Sequence, residues 1–542
     1  MFERNKFSLI AIVALLLALA AYYFGLFIDL TGDAGKYAAI ARHVAESGDY
    51  INLKIHGDAY DQKPPLLFWL AALGFKIGGL NNVSFKIFAV LYGFLGIFFT
   101  YKLGQSLYNK RTGQLAASML FFSQFYFLYC MDIHTDLLLQ TNVALAIWQL
   151  SEYLKRRKAL NFILAFTGIG LAMMSKGPIG GAVPAFALGA HLLLKRDFKQ
   201  LFHPKWLIGI ALCLLVALPA FLGLVNQFGW EGLRFFFWTN NMGRISGEYV
   251  GNNTDYLFYI HNLLYLYAPW SLLLFASIFF EFKAIVTNPL KLQEHFLLGG
   301  IWIYFIIISM AKAKSPNYIF ILVPLLSVLT AKWTDHFLNK PESNGFKTIR
   351  LFQGISFGLT AMFLLALIIY LFPSGNPLYW ALLIVVAAAC VFIYLQKGFT
   401  TEKLLLPSIL LIALTNLYLN RLVFPYTFSF QSSVKTARLF NEQAGADEQL
   451  YNYLYDQYEL FFYGKANATQ IKDKSQLLET LQRPGSWIYT TPAGLDSIRQ
   501  TGIAAENIMP LKNKNMNRTG IKFIIPQLRE SSLDTMYLVR TN

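Results

Sequence analysis

A chain of 542 residues in which 56% of side chains are hydrophobic and only 14% are charged holds more apolar sequence than a soluble core can bury, and it reads as a polytopic membrane protein. The formal net charge of +16 would suit a nucleic-acid binder, but the basic residues lie mostly in short loops between apolar runs. Orientation across a membrane accounts for them there, so membrane lipids rather than nucleic acid are the expected surroundings.

Taken in order, the chain opens with an apolar run over 7–28, preceded by Arg4 and Lys6. Ala18-Leu19-Ala20 has the look of a signal-peptidase site, yet the run exceeds the roughly 7–15 residues of a secretory core and continues past the alanines, so a retained helix is expected. Polar sequence then crowds into Asp29–Trp69. Asp29 and Asp33 follow the first span, and an amphipathic run over 34–46 predicts a helix. Acids at the edge of a span are costly unless solvated or paired, so both are candidates for chemistry as well as for capping that helix. Further on, Asp61-Gln62-Lys63 abuts Pro64-Pro65. Pro64 biases Lys63 toward extended backbone and the two rings stiffen the turn, which presents Lys63 as a point cation suited to gripping phosphate. The stretch 64–79 is apolar but short and carries Lys76, so an interfacial or re-entrant helix is expected rather than a span.

Twelve more apolar segments follow, near 86–103, 113–131, 137–154, 160–175, 178–194, 206–226, 262–281, 296–311, 318–334, 351–372, 378–395 and 404–421, for about 13 transmembrane helices in all. With the N-terminus cytoplasmic, the inside loops carry Lys110-Arg111, Lys155-Arg156-Arg157-Lys158, Lys195-Arg196 with Lys199, Lys283 with Lys291, Lys332 with Lys340, and Lys397 with Lys403. The outside turns near 131–135 and 373–377 contain no Lys or Arg. The positive-inside rule then places loops 29–85 and 227–261, and the tail from 422, outside the cytoplasm. Cys130, Cys213 and Cys390 fall in apolar runs and read as small buried hydrophobes. The chain thus divides into a membrane region, 1–421, and a soluble region, 422–542. In the latter, strand-like runs at 450–455, 487–491, 523–526 and 536–540 alternate with helix-like stretches at 475–482 and 494–500, the pattern of a small α/β domain.

The groups able to do chemistry gather at the outside ends of the spans. Asp132 and Asp136 are four apart, so a helix would put them on one face, with His134 between them to bind a metal or activate a hydroxyl. Lys176 interrupts two apolar runs in Ser175-Lys176-Gly177-Pro178, and Lys312 and Lys314 precede Ser315-Pro316-Asn317-Tyr318. Arg234, Arg244 and Glu248 occupy the 227–261 loop. Cations stranded at helix ends require anionic partners, and a phosphate-bearing membrane substrate supplies one. There is no phosphate-binding G-x-x-x-x-G-K-[ST], no G-x-S-x-G elbow and no zinc-ligand spacing. The cytoplasmic loops are too short for a nucleotide-sugar domain, so a sugar donor would have to be lipid-linked and reached from outside.

Asp33-Ala34-Gly35-Lys36-Tyr37-Ala38, then Ser47-Gly48-Asp49-Tyr50, then Lys63-Pro64-Pro65-Leu66 with Trp69, form a series that resembles the bacterial aminoarabinose transferase and protein mannosyltransferase group. Ser175-Lys176-Gly177-Pro178, Arg244 with Glu248, Ala268-Pro269-Trp270 and Lys314-Ser315-Pro316-Asn317-Tyr318 follow in the family's order. The resemblance implies a GT-C fold with a small C-terminal α/β extracytoplasmic domain, in a bacterial cytoplasmic membrane, with the active site on the periplasmic side. It also implies an inverting transfer of a sugar from a polyprenyl-phosphate donor to a lipid A-type glycolipid, protein or envelope-glycan acceptor. By position, Asp33 matches the family's catalytic carboxylate and Asp136 its second acid. Lys36, Lys63, Lys176 and Tyr318 match contacts near the donor phosphate, and Arg244 with Glu248 match further substrate contacts. One departure stands out: Gln62 replaces the Glu or Asp that binds metal in some members. A divalent metal held through Asp61 and Gln62 is one alternative, and a metal-free site is the other. A transporter or flippase for an anionic lipid-linked sugar is the rival reading. It would need ionisable groups near mid-membrane and matched broken helices, whereas the charges here cluster at one face.

Overall fold

The computed structural model describes residues 2–248, 251–287, 294–396, 398, 400–455, 457–465, 468–503, 507–516 and 519–541, with side chains from Ser8 onward. Lys291 and Lys397, two of the cations assigned to inside loops, lie outside the described residues. Helix α1 (Phe2–Gly25) ends where Lys86, fully buried, donates from Nζ to the carbonyls of Gly25 and Ile28 at 3.0 and 2.8 Å. A cation on the last carbonyls satisfies acceptors that the helix leaves unpaired and opposes the negative end of its dipole.

Helix α2 (Gly32–Ser47) corresponds to the amphipathic run, with Gly48 in the left-handed conformation (φ 72) closing it through a bond from its N–H to Val44. Its N-cap is Thr31, and Asp33 lies within the first turn. The expectation that Asp33 caps this helix is therefore corrected: the carboxylate is already inside the helix and leaves the chain's path sideways. Asp49 accepts from the backbone N–H groups of Ile51 and Asn52 at 3.0 and 2.9 Å, a side-chain-closed turn that starts the extended stretch. A minimal hairpin of β1 (Lys54–Ile55) and β2 (Asp58–Ala59) follows.

Helix α3 (Leu66–Gly78) has 13 residues, about 20 Å at 1.5 Å per residue, too short to cross a bilayer core of roughly 30 Å. It packs on α2 and on α4 (Asn82–Leu107). A Cβ on Gly74 would fall 1.9 Å from the Ser84 carbonyl oxygen, so α3 and α4 meet backbone to backbone only because residue 74 is glycine. Then come α5 (Lys110–Phe121), α6 (Gln124–Met131), α7 (Thr135–Arg156), α8 (Ala159–Lys176), α9 (Ile179–Leu194), α10 (Phe198–Leu201), α11 (Lys205–Arg234) and α12 (Asn240–Ser246). The apolar segment 113–131 is thus two helices, broken at Phe122–Ser123, where the Ser123 side chain caps α6. The acids of 131–136 do not share a helix face as expected, because Asp132 ends α6 in extended backbone, Ile133 lies in a turn, His134 is extended, and Asp136 sits in the first turn of α7.

Among the described residues, eight helices are long and apolar enough to cross a membrane, and Leu66–Gly78, Ile179–Leu194 and Phe296–Met310 are shorter apolar helices. The chain is a multi-pass membrane protein. Helix α7 is absent from the eight although it has 22 residues. It lies inside the bundle, where Gln140, Thr141 and Asn142 are fully buried, and a helix shielded by its neighbours need not be apolar all round.

Beyond the membrane region lies one five-stranded sheet in the order β4-β3-β5-β7-β6, built from β3 (Gln449–Tyr453), β4 (Thr469–Ile471), β5 (Ser486–Thr490), β6 (Asn507–Asn513) and β7 (Asp534–Arg540). The first three are mutually parallel and β7 runs antiparallel to β5 and β6. Three expected strands are present. The fourth, 523–526, is instead the end of one helical turn and the start of another (Ile521–Ile524, Pro526–Arg529), while β4 and β6 went unforeseen. Pro526 begins a helix readily because its missing N–H is not needed there. This region is not a detached appendage. Arg42 of α2, 6% exposed, donates from Nη1 to the carbonyls of Phe461, Phe462 and Gly464 at 3.2, 3.3 and 2.7 Å, at the end of the short helix Tyr458–Tyr463.

Candidate functional site

One cavity of about 450 Å³ collects residues from six parts of the chain, within the size range of small-molecule sites. Helix α2 contributes Asp33, Lys36 and Tyr37, and the proline turn contributes Gln62 and Lys63. His134 comes from the head of α7, Lys176 from the last residue of α8, Arg244 and Asn240 from α12, and Asn317 and Tyr318 from the turn after Phe296–Met310. The lining also holds apolar side chains, among them Ile179, Ala182 and Phe186 of α9 and Ile307 and Ile308. Four cations, Lys36, Lys63, Lys176 and Arg244, therefore share the lining with one carboxylate, Asp33, beside a greasy groove.

The local chemistry explains how each is held. Lys176 closes α8, where a cation is favoured by the helix dipole, and Gly177 turns the chain with φ 86. Its Nζ lies 2.5 Å from Asp136 Oδ1 and 4.8 Å above the Tyr318 ring. Asp136 is 2% exposed and also accepts from Asn317 Nδ2 at 3.0 Å. It stands behind Lys176 and does not line the cavity. Arg244 donates from Nε to Asn240 Oδ1 at 2.9 Å and from Nη1 to the Tyr318 hydroxyl at 2.7 Å. Lys176 and Arg244 are thus both fixed around Tyr318, as the spacing of the Lys-Ser-Pro-Asn-Tyr motif alone did not disclose.

Asp33 pairs with Lys36 at 3.3 Å and keeps 49% of its side chain accessible toward the cavity. Burial alone would raise its carboxyl, but Lys36, His134 and Lys63 outweigh that and hold it below the usual range, so it is ionised at neutral pH. Lys63 is pulled the other way: burial first, then the neighbouring Lys176 and Arg244, bring its ammonium down to about 7. Three cations this close repel one another, and an anion in the cavity relieves all three.

Of the remaining candidates, Glu248 is exposed and outside the cavity lining. Gln62 faces the main cavity, while Asp61 lines a separate cleft with Ile51 and Leu224. Asp61 and Gln62 open onto different cavities, so the two side chains do not converge on one ion. Lys312 and Lys314 instead organise the neighbouring loop: the Lys312 carbonyl accepts from Asn253 N–H, and Lys314 Nζ donates to the Asn253 carbonyl at 2.8 Å. The sequence reading passed over Asn240, whose place beside Arg244 could have been found from the four-residue spacing on a helix, and Asn317, whose partner Asp136 is 181 positions away.

The family model for dolichyl-phosphate-mannose-protein mannosyltransferases matches residues 62–222, which holds the proline turn, Asp136 and Lys176 but neither Asp33 nor Arg244. Two relatives illustrate the wider similarity. A protein of Aquifex aeolicus without an assigned activity is 27% identical over 350 residues, covering 64% of this chain and 66% of its own. An undecaprenyl phosphate-alpha-4-amino-4-deoxy-L-arabinose arabinosyl transferase of Pseudomonas savastanoi pv. phaseolicola is 28% identical over 379 residues, covering 68% of each. The chain thus aligns with about two thirds of these relatives' length. In three dimensions the likeness covers nearly everything. The crystal structure of ArnT from Cupriavidus metallidurans bound to undecaprenyl phosphate superposes with a TM-score of 0.72 at 18% identity, over 98% of this chain and 97% of that one. The fold is the same.

Proposed function

We infer that this chain is a GT-C glycosyltransferase of the aminoarabinose transferase group, and that it moves a sugar from a polyprenyl-phosphate donor to an acceptor outside the cytoplasm. The observation that carries this reading is the cavity itself, in which four cations and one ionised carboxylate meet an apolar groove. The groove along Ile179, Ala182, Phe186, Ile307 and Ile308 takes the first isoprene units. Lys63, Lys176 and Arg244, with the Tyr318 hydroxyl, surround the phosphate, neutralising the charge that grows on it as the glycosidic bond breaks. Removing one such contact costs about 3 kcal/mol of barrier.

Asp33 faces the same space from α2 and orients the acceptor hydroxyl, or accepts its proton, for in-line attack on the anomeric carbon with inversion. A carboxylate held ionised by Lys36 is suited to orientation first and proton acceptance second. Asp136 acts through Lys176 and Asn317, whose side chains it fixes, rather than on the sugar. In the membrane, thirteen crossings with the basic loops inside would put this cavity and the sheet region on the periplasmic face of the inner membrane. The acceptor belongs to the envelope: a glycolipid of the lipid A type in the first instance, with protein and glycan hydroxyls as the other classes.

The test uses the purified full-length protein with a labelled polyprenyl-phosphate sugar and, in turn, envelope lipid, protein and glycan fractions as acceptors. Asp33→Asn should fold, bind the lipid phosphate and transfer no label. Wild-type turnover in that variant would sink the assignment of Asp33, and absence of transfer by the wild type to every acceptor class would sink the reading as an enzyme.

A further inference from the structure

The helix that carries Asp33 lacks a conventional start. Thr31 occupies the N-cap position with extended backbone (φ −143, ψ 149), yet its side chain makes no capping bond. Helix starts leave N–H groups unsatisfied and carry the positive end of the dipole, so one of the strongest local fixtures is missing where position matters most. The acceptor comes from 427 positions away: the Gly32 N–H donates to Glu459 Oε1 at 2.7 Å. Glu459 lies on the short helix Tyr458–Tyr463 of the sheet region and is 2% exposed.

The contact is built around rather than incidental. A Cβ on Gly35 would meet Glu459 Cγ at 3.3 Å, so a glycine at that position leaves room for the carboxylate to lie along the first turn. On either side of it the same short helix grips the same segment. The Leu30 N–H donates to the Tyr463 hydroxyl at 2.8 Å, and Lys36 Nζ sits 5.0 Å above the Tyr458 ring. The buried Arg42, about two turns beyond Gly35 on α2, bonds three carbonyls at the end of that short helix. Asp33, which handles the acceptor, is thus bracketed by Gly32 and Lys36 contacts to one six-residue element.

We propose that Glu459 is a positioning residue for the transfer reaction: as an N-cap supplied in trans by the sheet region, it fixes the first turn of α2 and thereby the direction of Asp33. The sheet region is on this account a working part of the active site and not a separate module. The inference rests on the reading of Asp33 as the group that handles the acceptor. The donor phosphate is held by Lys63, Lys176, Arg244 and Tyr318 on other elements, none of which Glu459 touches, so the cap bears on turnover and not on donor binding.

Full-length wild type, Glu459→Ala and Glu459→Gln in lipid nanodiscs would be compared in three measurements. These are hydrogen exchange of backbone amides 30–36, binding of undecaprenyl phosphate, and steady-state transfer. The alanine variant should exchange faster at Gly32 and its neighbours, keep the wild-type donor affinity and lose about tenfold in kcat. The glutamine variant retains an acceptor oxygen for Gly32 and should recover most of that loss. Unchanged kcat in Glu459→Ala would overturn the proposal. Donor affinity falling in step with kcat would also overturn it, since that pattern marks a general loss of structure. Unchanged exchange at 30–36 would refute the cap itself. An active Asp33→Asn enzyme would defeat the parent reading instead, while the exchange at Gly32 would still report whether the cap exists.

Discussion

Replacing Asp136 by Asn tests whether Lys176 is there to meet a phosphate. Asp136 is 2% exposed, pairs with Lys176 at 2.5 Å and accepts from Asn317 at 3.0 Å. Asn keeps the shape and an oxygen for Asn317 but leaves the ammonium of Lys176 without its counter-charge. Breaking one partner of a buried pair costs roughly 3–5 kcal/mol. The lower end applies, about 3 kcal/mol, because the Lys176 side chain is 13% accessible and opens onto the cavity, where water can reach it. A phosphate bound in that cavity would supply the missing charge. Saturating undecaprenyl phosphate should therefore raise the thermal midpoint of Asp136→Asn by more than it raises that of the wild type, in the same detergent and at the same ligand excess. An equal or smaller gain in the variant would refute the placement of Lys176 at the donor phosphate, and with it the role given to Asp136.

Lys63, brought down to about 7 by burial and its cationic neighbours, makes donor affinity depend on pH. The group is protonated and attractive to phosphate below about pH 7 and neutral above it, so the dissociation constant for undecaprenyl phosphate should rise between pH 6 and pH 8. Lys63→Arg, which stays charged throughout, should flatten the profile, and a slope that survives in that variant assigns it to another group. Gly74→Ala places a methyl 1.9 Å from the Ser84 carbonyl oxygen and should cost about 1–3 kcal/mol through overpacking, read as a lower thermal midpoint. Because α3 follows directly on the proline turn that carries Lys63, transfer should fall with it, and a variant as stable as wild type would show that α3 is free to move.

The site was legible to the degree that its residues break a rule of their surroundings. Asp33, Lys63 and Lys176 are charges abutting apolar runs, and such charges need a reason wherever the fold puts them. Asp61 and Gln62, adjacent in sequence and offered together as metal ligands, line different cavities, which only the structure shows. Asp136 was found but its partners Lys176 and Asn317 were not, since they lie 40 and 181 positions away. Glu248 fitted the motif order and is exposed. Strands β4 and β6 escaped notice because Thr469–Ile471 has three residues and β6 contains Pro510, which reads as a breaker and here sits on an edge strand.

From composition and periodicity alone, the chain is a multi-pass membrane protein with charges set against the ends of its apolar runs, because apolar runs of span length and stranded charges are properties of the chain itself. Which charges meet is another matter. Lys176 finds Asp136 across 40 positions, Arg244 finds Tyr318 across 74, and Gly32 finds Glu459 across 427. Pairings at such separations carry no periodic or adjacent signal, since they are enforced by packing of the whole bundle and of the sheet region against α2. The membership of the cavity, the retreat of Asp136 behind Lys176 and the capping of the Asp33 helix by a distant carboxylate were therefore decided by tertiary structure alone.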